Sequence, residues 1–294
     1  MGSRTRDRTV EVFDSTPCRL GEGPFWHPER QQLFWFDILG RRLLTRSGSE
    51  TQVWQFAEHV SAAGWIDRDR LLIASETALF SFDVTDGTRH RLTPLEADNP
   101  RTRSNDGRAD PWGGFWIGTM GKSAEPEAGS IWRYYRGELR RLVPGLTISN
   151  AICFSPDRSF AYYTDTTTRQ IMRQPLDPQD GWPDGLPRVW LNLNEDCLNP
   201  DGAVIDARGN MWLAQWGASR VACHNPQGRL IEVVDLPAPR VSCPAFGGKD
   251  MRTLFITTAI QGFEGQRPAA IPEAGRTYRV EVAARGQQEH RVIA

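Results

Sequence analysis

Lysine is almost missing from this chain: of 35 basic residues only Lys122 and Lys249 are lysines, a skew that reads as genomic base composition rather than function. An excess of either charge is missing too. With 36 acidic residues the formal net charge is −1, which leaves no basic footprint for nucleic acid. No apolar run reaches the roughly 18 residues that a membrane helix needs. The stretch from Met1 to Val10 is polar and charged and lacks the apolar core of a signal peptide. The five cysteines (Cys18, Cys153, Cys197, Cys223, Cys243) are odd in number and show no CxxC spacing, which argues for reduced, mostly buried thiols. His27, His59, His90, His224 and His290 show neither HxH nor HxxxH spacing, so a histidine metal site is not expected. No GxSxG motif is present, which argues against a serine esterase. The expectation is a soluble, cytoplasmic protein with no nucleic-acid or membrane partner.

The chain does have glycine, tryptophan and a repeat. Its 27 glycines and 11 tryptophans suit a turn-rich β fold. Six similar openings occur in phase: Gly21-Glu22-Gly23-Pro24, Ala62-Ala63-Gly64, Ser104-Asn105-Asp106-Gly107, Ser149-Asn150-Ala151, Pro200-Asp201-Gly202 and Cys243-Pro244-Ala245. With Glu22, Ala63, Asp106, Asn150, Asp201 and Pro244 as markers, the gaps are 41, 43, 44, 51 and 43 residues. Behind each opening a turn cluster leads into a short aromatic or β-branched run: 32–36, 70–74, 114–118, 160–164, 210–214 and 253–257. A period of about 45 residues with several strands per unit predicts β-propeller blades. A β-sandwich or jelly roll does not explain six in-phase copies. Residues 1–294 therefore read as one domain, with the N-terminal segment either flexible or closing the last blade.

In a propeller the innermost strand of each blade lines a central channel, so side chains at its entrance face one another. Glu22, Asp201, Asn150 and the Asn105-Asp106 pair are predicted to meet there. Two carboxylates forced together repel, and a divalent cation removes the conflict by neutralising both. Oxygen ligands without a Cys or His motif favour Ca²⁺, Mg²⁺ or Mn²⁺. Zn²⁺ is also held by carboxylates, and Fe²⁺ stays open with it. The expected architecture is an all-β six-bladed β-propeller with a metal site at the mouth of the central channel.

The same residues carry a resemblance. Leu20-Gly21-Glu22-Gly23-Pro24, Arg103-Ser104-Asn105-Asp106-Gly107, Gly118-Thr119-Met120, Ser149-Asn150-Ala151 with Phe154-Ser155-Pro156-Asp157, Pro200-Asp201-Gly202 and Ala245-Phe246-Gly247-Gly248 resemble the SMP-30/gluconolactonase/regucalcin family nearly end to end. The resemblance implies one divalent metal held by Glu22, Asn150 and Asp201, with Arg103 and Asn105 contacting a sugar lactone. Asp201 would also serve as the catalytic base. Asp106, Met120 and Lys122 would stand behind these as supporting residues. Animal members carry an acidic substrate-contacting residue shortly after Gly-Thr-Met, where this chain has Gly121 and Lys122, which bears on the preferred sugar. The implied function is hydrolysis of an aldonolactone (glucono-, galactono-, xylono- or arabinono-, or one bearing a C6 sulfonate or phosphate) by a monomer or weak homo-oligomer. The alternatives are a calcium-binding regulatory protein of the regucalcin kind, or a propeller esterase or phosphotriesterase using the same metal. Arg101, Arg103 and Lys122 on one loop are compatible with an anionic substituent.

Elsewhere plainer readings prevail. Cys153 is expected to be a buried strand thiol, and Trp26, Trp65, Trp116 and Trp212 to pack blades. His59, Thr166 and Trp216 lie near the predicted mouth without an assigned role. The polar stretch 121–129 and the Gly- and Pro-rich stretch 261–275 are expected to be loops, either a rim or lid over one face or plain surface loops.

Overall fold

The computed structural model describes residues 9–263 and 273–294. Within them the chain forms 24 strands, β1 to β24 in chain order, grouped into six antiparallel four-stranded sheets. Five sheets are meanders of consecutive strands. The sixth has the order β1-β24-β23-β22. Here β1 (Glu11–Asp14) pairs with β24 (Thr277–Glu281), Glu11 opposite Arg279 and Val12 opposite Tyr278, so the N-terminal side of the chain closes the ring. Residues 1–8 lie outside the described residues. Among the described residues no helix is long and apolar enough to cross a membrane.

The aromatic runs that set the repeat are the second strand of each blade: β3 (Gln32–Asp37), β7 (Arg70–Ser75), β11 (Phe115–Gly121), β15 (Phe160–Asp165), β19 (Met211–Trp216) and β23 (Thr253–Thr258). These strands are covered on both faces by neighbouring blades, which is why they read as continuous apolar runs rather than alternating ones. The outermost strands β5 (Glu50–Gln55) and β9 (Arg89–Pro94) are largely exposed and polar. The core is thus divided among blade interfaces. Phe34 and Phe36 of the first blade pack with Leu71, Ile73 and Phe82 of the second. Trp116 meets Phe154 edge-to-face at 5.6 Å, and Trp212 meets Phe246 in the same way at 5.7 Å. Such pairs contribute about 0.5–1.5 kcal/mol beyond their buried area. Both tryptophans are blade-packing residues, as expected.

The innermost strands are β2 (Gly21–His27), β6 (Val60–Trp65), β10 (Thr102–Ala109), β14 (Ser149–Phe154), β18 (Asn199–Ile205) and β22 (Val241–Gly247). Six strands converging on one axis leave little room, hence the small residues at these positions. A Cβ on Gly202 would stand 2.3 Å from Cys243 Sγ, closer than atoms approach. All six predicted markers lie on these strands. At the opposite end the chain after β24 crosses under the ring. Gln287 Nε2 donates to the carbonyls of Phe154 and Ile205, Val292 N donates to Trp65 O, and Ile293 N donates to Gly113 O. Arg108 and Glu289 form an ion pair there, 11% and 9% exposed. This strap over the channel floor carries no repeat pattern in the sequence.

Candidate active site

Four innermost strands break register at the marker residue. Glu22 to Phe25, Ser104 to Gly107, Asn150 to Cys153 and Pro200 to Ala203 each fit one extra residue against the neighbouring strand. A bulge re-aims the side chains it contains, so four polar groups of unrelated sequence position turn together at one end of the channel. The bulges need unusual backbone. Gly23 follows Glu22 with φ +52, and a Cβ there would meet Ser61 O at 2.2 Å. Ala151 follows Asn150 with φ +57, a strained value for a residue with a side chain.

Glu22, Arg103, Asn105, Asn150 and Asp201 line one cavity of about 330 Å³ and are each no more than 6% exposed. A directed hydrogen-bond chain links three blades. Arg103 Nη1 donates to Ser104 O (2.9 Å) and to Asn105 Oδ1 (2.7 Å). Asn105 Nδ2 donates to Ser149 O (2.8 Å) and to Asn150 Oδ1 (2.9 Å). Asn150 Nδ2 donates to Thr166 Oγ1 (2.9 Å), whose own proton goes to Pro200 O (2.8 Å). Because the Thr166 proton is spent on a carbonyl, its oxygen can only accept, and the Asn150 amide is held in a single orientation. Arg103 Nε is buried with no partner. Asp106 lies behind the cavity wall, where its Oδ2 accepts from Ile152 N at 2.7 Å.

Burial and crowding set the titration of these groups. Glu22 is pushed up to about 8 by burial and by the Asp106 carboxylate. Burial raises Asp201 well above the carboxylate range, with Glu22 and then Asp106 adding to it. Asp106 itself is pushed up to about 6 by burial, and burial brings Arg103 down to about 10. Among the described residues no three His, Cys, Asp or Glu side chains form a metal cage by themselves. The third oxygen beside Glu22 and Asp201 is the Asn150 amide.

A stability prediction follows from these directions. Glu22 and Asp201 bind protons more tightly in the fold than in the unfolded chain, so ionising them destabilises the fold. That loss is absent below the unfolded carboxylate range and grows as pH rises toward about 8 for Glu22. His27, His59, His224 and His290, lowered chiefly by desolvation, act the other way and offset part of this slope, an effect that fades as the unfolded histidines lose their protons above about pH 6.5. Protein in EDTA is expected to lose melting temperature between pH 6.5 and 8, and Glu22→Gln is expected to flatten that slope. Thermal unfolding at the two pH values checks this, and a wild-type curve that is flat or rises would overturn it.

Met120 and Lys122 also line the cavity. Lys122 Nζ donates to Glu76 Oε2 at 2.9 Å, and His59 bonds the other oxygen of Glu76, so His59 acts through a rim ion pair and does not enter the cavity. Loop 121–129 contributes Lys122, Ser123 and Ala124 to the wall, as expected for a rim, and Gln261 represents the second loop. Residues 264–272 of that loop lie outside the described residues. Cys153 is buried and burial pushes its thiol up, which suits a packing role. Glu76 and Arg240 sit off the repeat phase and carry no signal in the sequence; Glu76 holds the rim through Lys122, while Arg240 and Trp216 line the cavity itself.

The sequence profile of the SMP-30/Gluconolactonase/LRE-like region matches residues 20–260, a span that holds the cavity residues named above except Gln261, which follows it directly. The chain belongs to this family. Among SMP-30/gluconolactonase relatives, it is 40% identical over 283 residues, 95% of each chain, to a protein of Rhizobium meliloti (strain 1021) whose name proposes a sugar lactone lactonase. It is 32% identical over 287 residues to 6-deoxy-6-sulfogluconolactonase of Pseudomonas putida, covering 96% of this chain and 98% of that one. The crystal structure of regucalcin from Agrobacterium tumefaciens str. C58, described as a calcium-binding protein, superposes with a TM-score of 0.95 at 36% identity over 98% of both chains.

Proposed function

We propose that this protein is a metal-dependent sugar lactonase that opens an aldonolactone to the aldonic acid. The observation that carries the reading is the convergence of Glu22, Asp201 and the oriented Asn150 amide with Arg103 and Asn105 in one cavity. The donor set fits a divalent cation: two buried carboxylates destabilise each other, and an amide oxygen beside them adds no charge. Glu22, Asn150 and Asp201 would hold that ion, which when bound polarises the lactone carbonyl and lowers the pKa of a water. Relatives named for lactone hydrolysis support the reaction class.

The chain's own residues account for the rest. Asp201 accepts a proton from the attacking water as the water oxygen bonds the carbonyl carbon. The ring C–O bond then breaks, and the same proton passes to the departing ring oxygen, leaving one hydroxy acid. Arg103, fixed by Ser104 and Asn105, keeps donors for substrate oxygens, and charge-assisted bonds of this kind are stronger than neutral ones. Leu20, Leu39 and Ile148 give the cavity apolar walls that thin out competing water.

The deciding experiment is proton release from a panel of aldonolactones by EDTA-stripped protein, with Ca²⁺, Mg²⁺, Mn²⁺, Fe²⁺ and Zn²⁺ returned singly. Restored turnover of one lactone above its spontaneous rate is expected. Tight calcium binding with no turnover of any lactone would favour a binding role of the regucalcin kind. The hydrogen-bond chain adds a sharper expectation: Thr166→Val weakens metal affinity about tenfold, since Asn150 Nδ2 loses its acceptor, and Thr166→Ser restores it. Calorimetric metal titration reads this without turnover.

A further inference from the structure

We infer that the cavity selects a lactone carrying an oxyanion on its exocyclic carbon, and that Arg240 is the residue that reads it. This rests on the lactonase reading and names the substrate class of the same site. The argument starts from a charge inventory of the rim. The loop expected from sequence to bind an anion does not present a free cation. Arg103 is buried, held through Nη1 by Ser104 and Asn105 with its remaining donors assigned above to the lactone end, Lys122 is paired with Glu76 at 2.9 Å, and exposed Arg101 stands outside the cavity lining. The available cation comes instead from the last blade.

Arg240 lines the cavity just before β22. Its guanidinium carbon lies 5.1 Å from the Trp216 ring centroid and 4.7 Å from that of Phe263. A Cβ on Gly262 would stand 2.6 Å from Nη2, so the head group is boxed on a third side by backbone. Its own backbone is tied to the next strand, Ala259 N donating to Arg240 O at 2.9 Å. Among the described residues no carboxylate pairs with the Arg240 side chain and no acceptor takes its N–H groups.

This is an unusual state for an arginine. A guanidinium is permanently charged, and stacking against aromatic faces holds its plane while leaving its N–H edges uncovered. Such edges match the geometry of a phosphate, sulfonate or carboxylate, each of which accepts two parallel bonds. A neutral sugar hydroxyl would gain far less, and nothing in the reaction itself needs a second arginine, because Arg103 already serves the lactone end. Trp216 and Arg240 thus form one wall of the cavity that Glu22, Asn150 and Asp201 also line, and this wall is suited to the exocyclic end of a sugar lactone.

The test compares D-gluconolactone with its 6-phosphate, its 6-sulfonate analogue and a uronic-acid lactone, on metal-loaded wild type, Arg240→Met and Arg240→Lys. At least one anionic lactone is expected to be preferred. Arg240→Met is expected to cut its kcat/KM relative to the neutral lactone about 10- to 100-fold, mainly through KM. Arg240→Lys should recover part of that ratio. Which anion wins separates tetrahedral from planar head groups. A second readout needs no turnover: calorimetric binding of 6-phosphogluconate against gluconate. Phosphate-dependent binding that Arg240→Met abolishes, with no lactone hydrolysed, would keep this inference and sink the lactonase reading. Hydrolysis of neutral lactones with a ratio unchanged by Arg240→Met would do the reverse.

Discussion

Asp201→Asn is expected to lower kcat/KM for the hydrolysed lactone about 10³-fold or more and, in metal-free protein, to raise the melting temperature. The two signs have one cause. Asp201 is a buried carboxylate whose neighbours Glu22 and Asp106 are also acidic, so in metal-free protein its charge is opposed by desolvation and by both of them. Asparagine keeps the shape and removes the charge, and the repulsion goes with it. The same exchange deprives the site of a charged metal donor and of the group that takes the water proton. A site that stores repulsion for use is expected to trade stability against activity in this way. Steady-state kinetics with added metal and thermal unfolding in EDTA read the two effects separately. Turnover within about tenfold of wild type would end the general-base assignment.

The second large effect lies at the other end of the channel. Glu289→Gln is expected to destabilise the fold by about 3–5 kcal/mol, because it leaves Arg108 nearly buried without its paired carboxylate, with only the more remote Asp106 to offset its charge. Glu289 is also the residue whose carbonyl accepts Trp65 Nε1 at 2.9 Å, so the strap position itself is held by backbone and the side-chain change isolates the charge. Urea denaturation gives the number. Replacing both partners, Arg108→Met with Glu289→Leu, should recover much of the loss, since a buried pair is worth less than the damage of breaking it. Equal stability of Glu289→Gln and wild type would mean that water reaches Arg108.

The blades were legible because each repeats one physical problem. A strand pressed between two neighbours must be apolar throughout, and Phe34-Trp35-Phe36, Phe115-Trp116-Ile117 and Trp212-Leu213-Ala214 state that directly. The convergence of Glu22, Asn150 and Asp201 was legible for the same reason, since they share a phase and phase translates into angle around the axis; Asp106 shares that phase too but lies behind the cavity wall. The walls were not legible. Lys122 meets Glu76 46 positions earlier in the chain, and Trp216 meets Arg240 through loops with no fixed spacing. The strap was invisible too. Gln287, Glu289 and Val292 follow no period, because a segment that crosses several blades contacts each at a different depth.

The closing pair of β1 with β24 has a kinetic meaning. Glu11 is made 268 residues before its partner Arg279. For most of synthesis the first strand has no sheet to join, and the sixth blade cannot be completed until β24 appears. Contacts of such sequence separation make folding slow, and a waiting edge strand is open to the wrong partner. The charge on Glu11, which pairs with Arg279 in the finished ring, disfavours such pairing, whereas Val12, 40% exposed even there, favours it. The pairing that completes the sixth blade is thus also a late step at which a nascent chain can fail, with the strap through Gln287 and Val292 still to be laid under the ring.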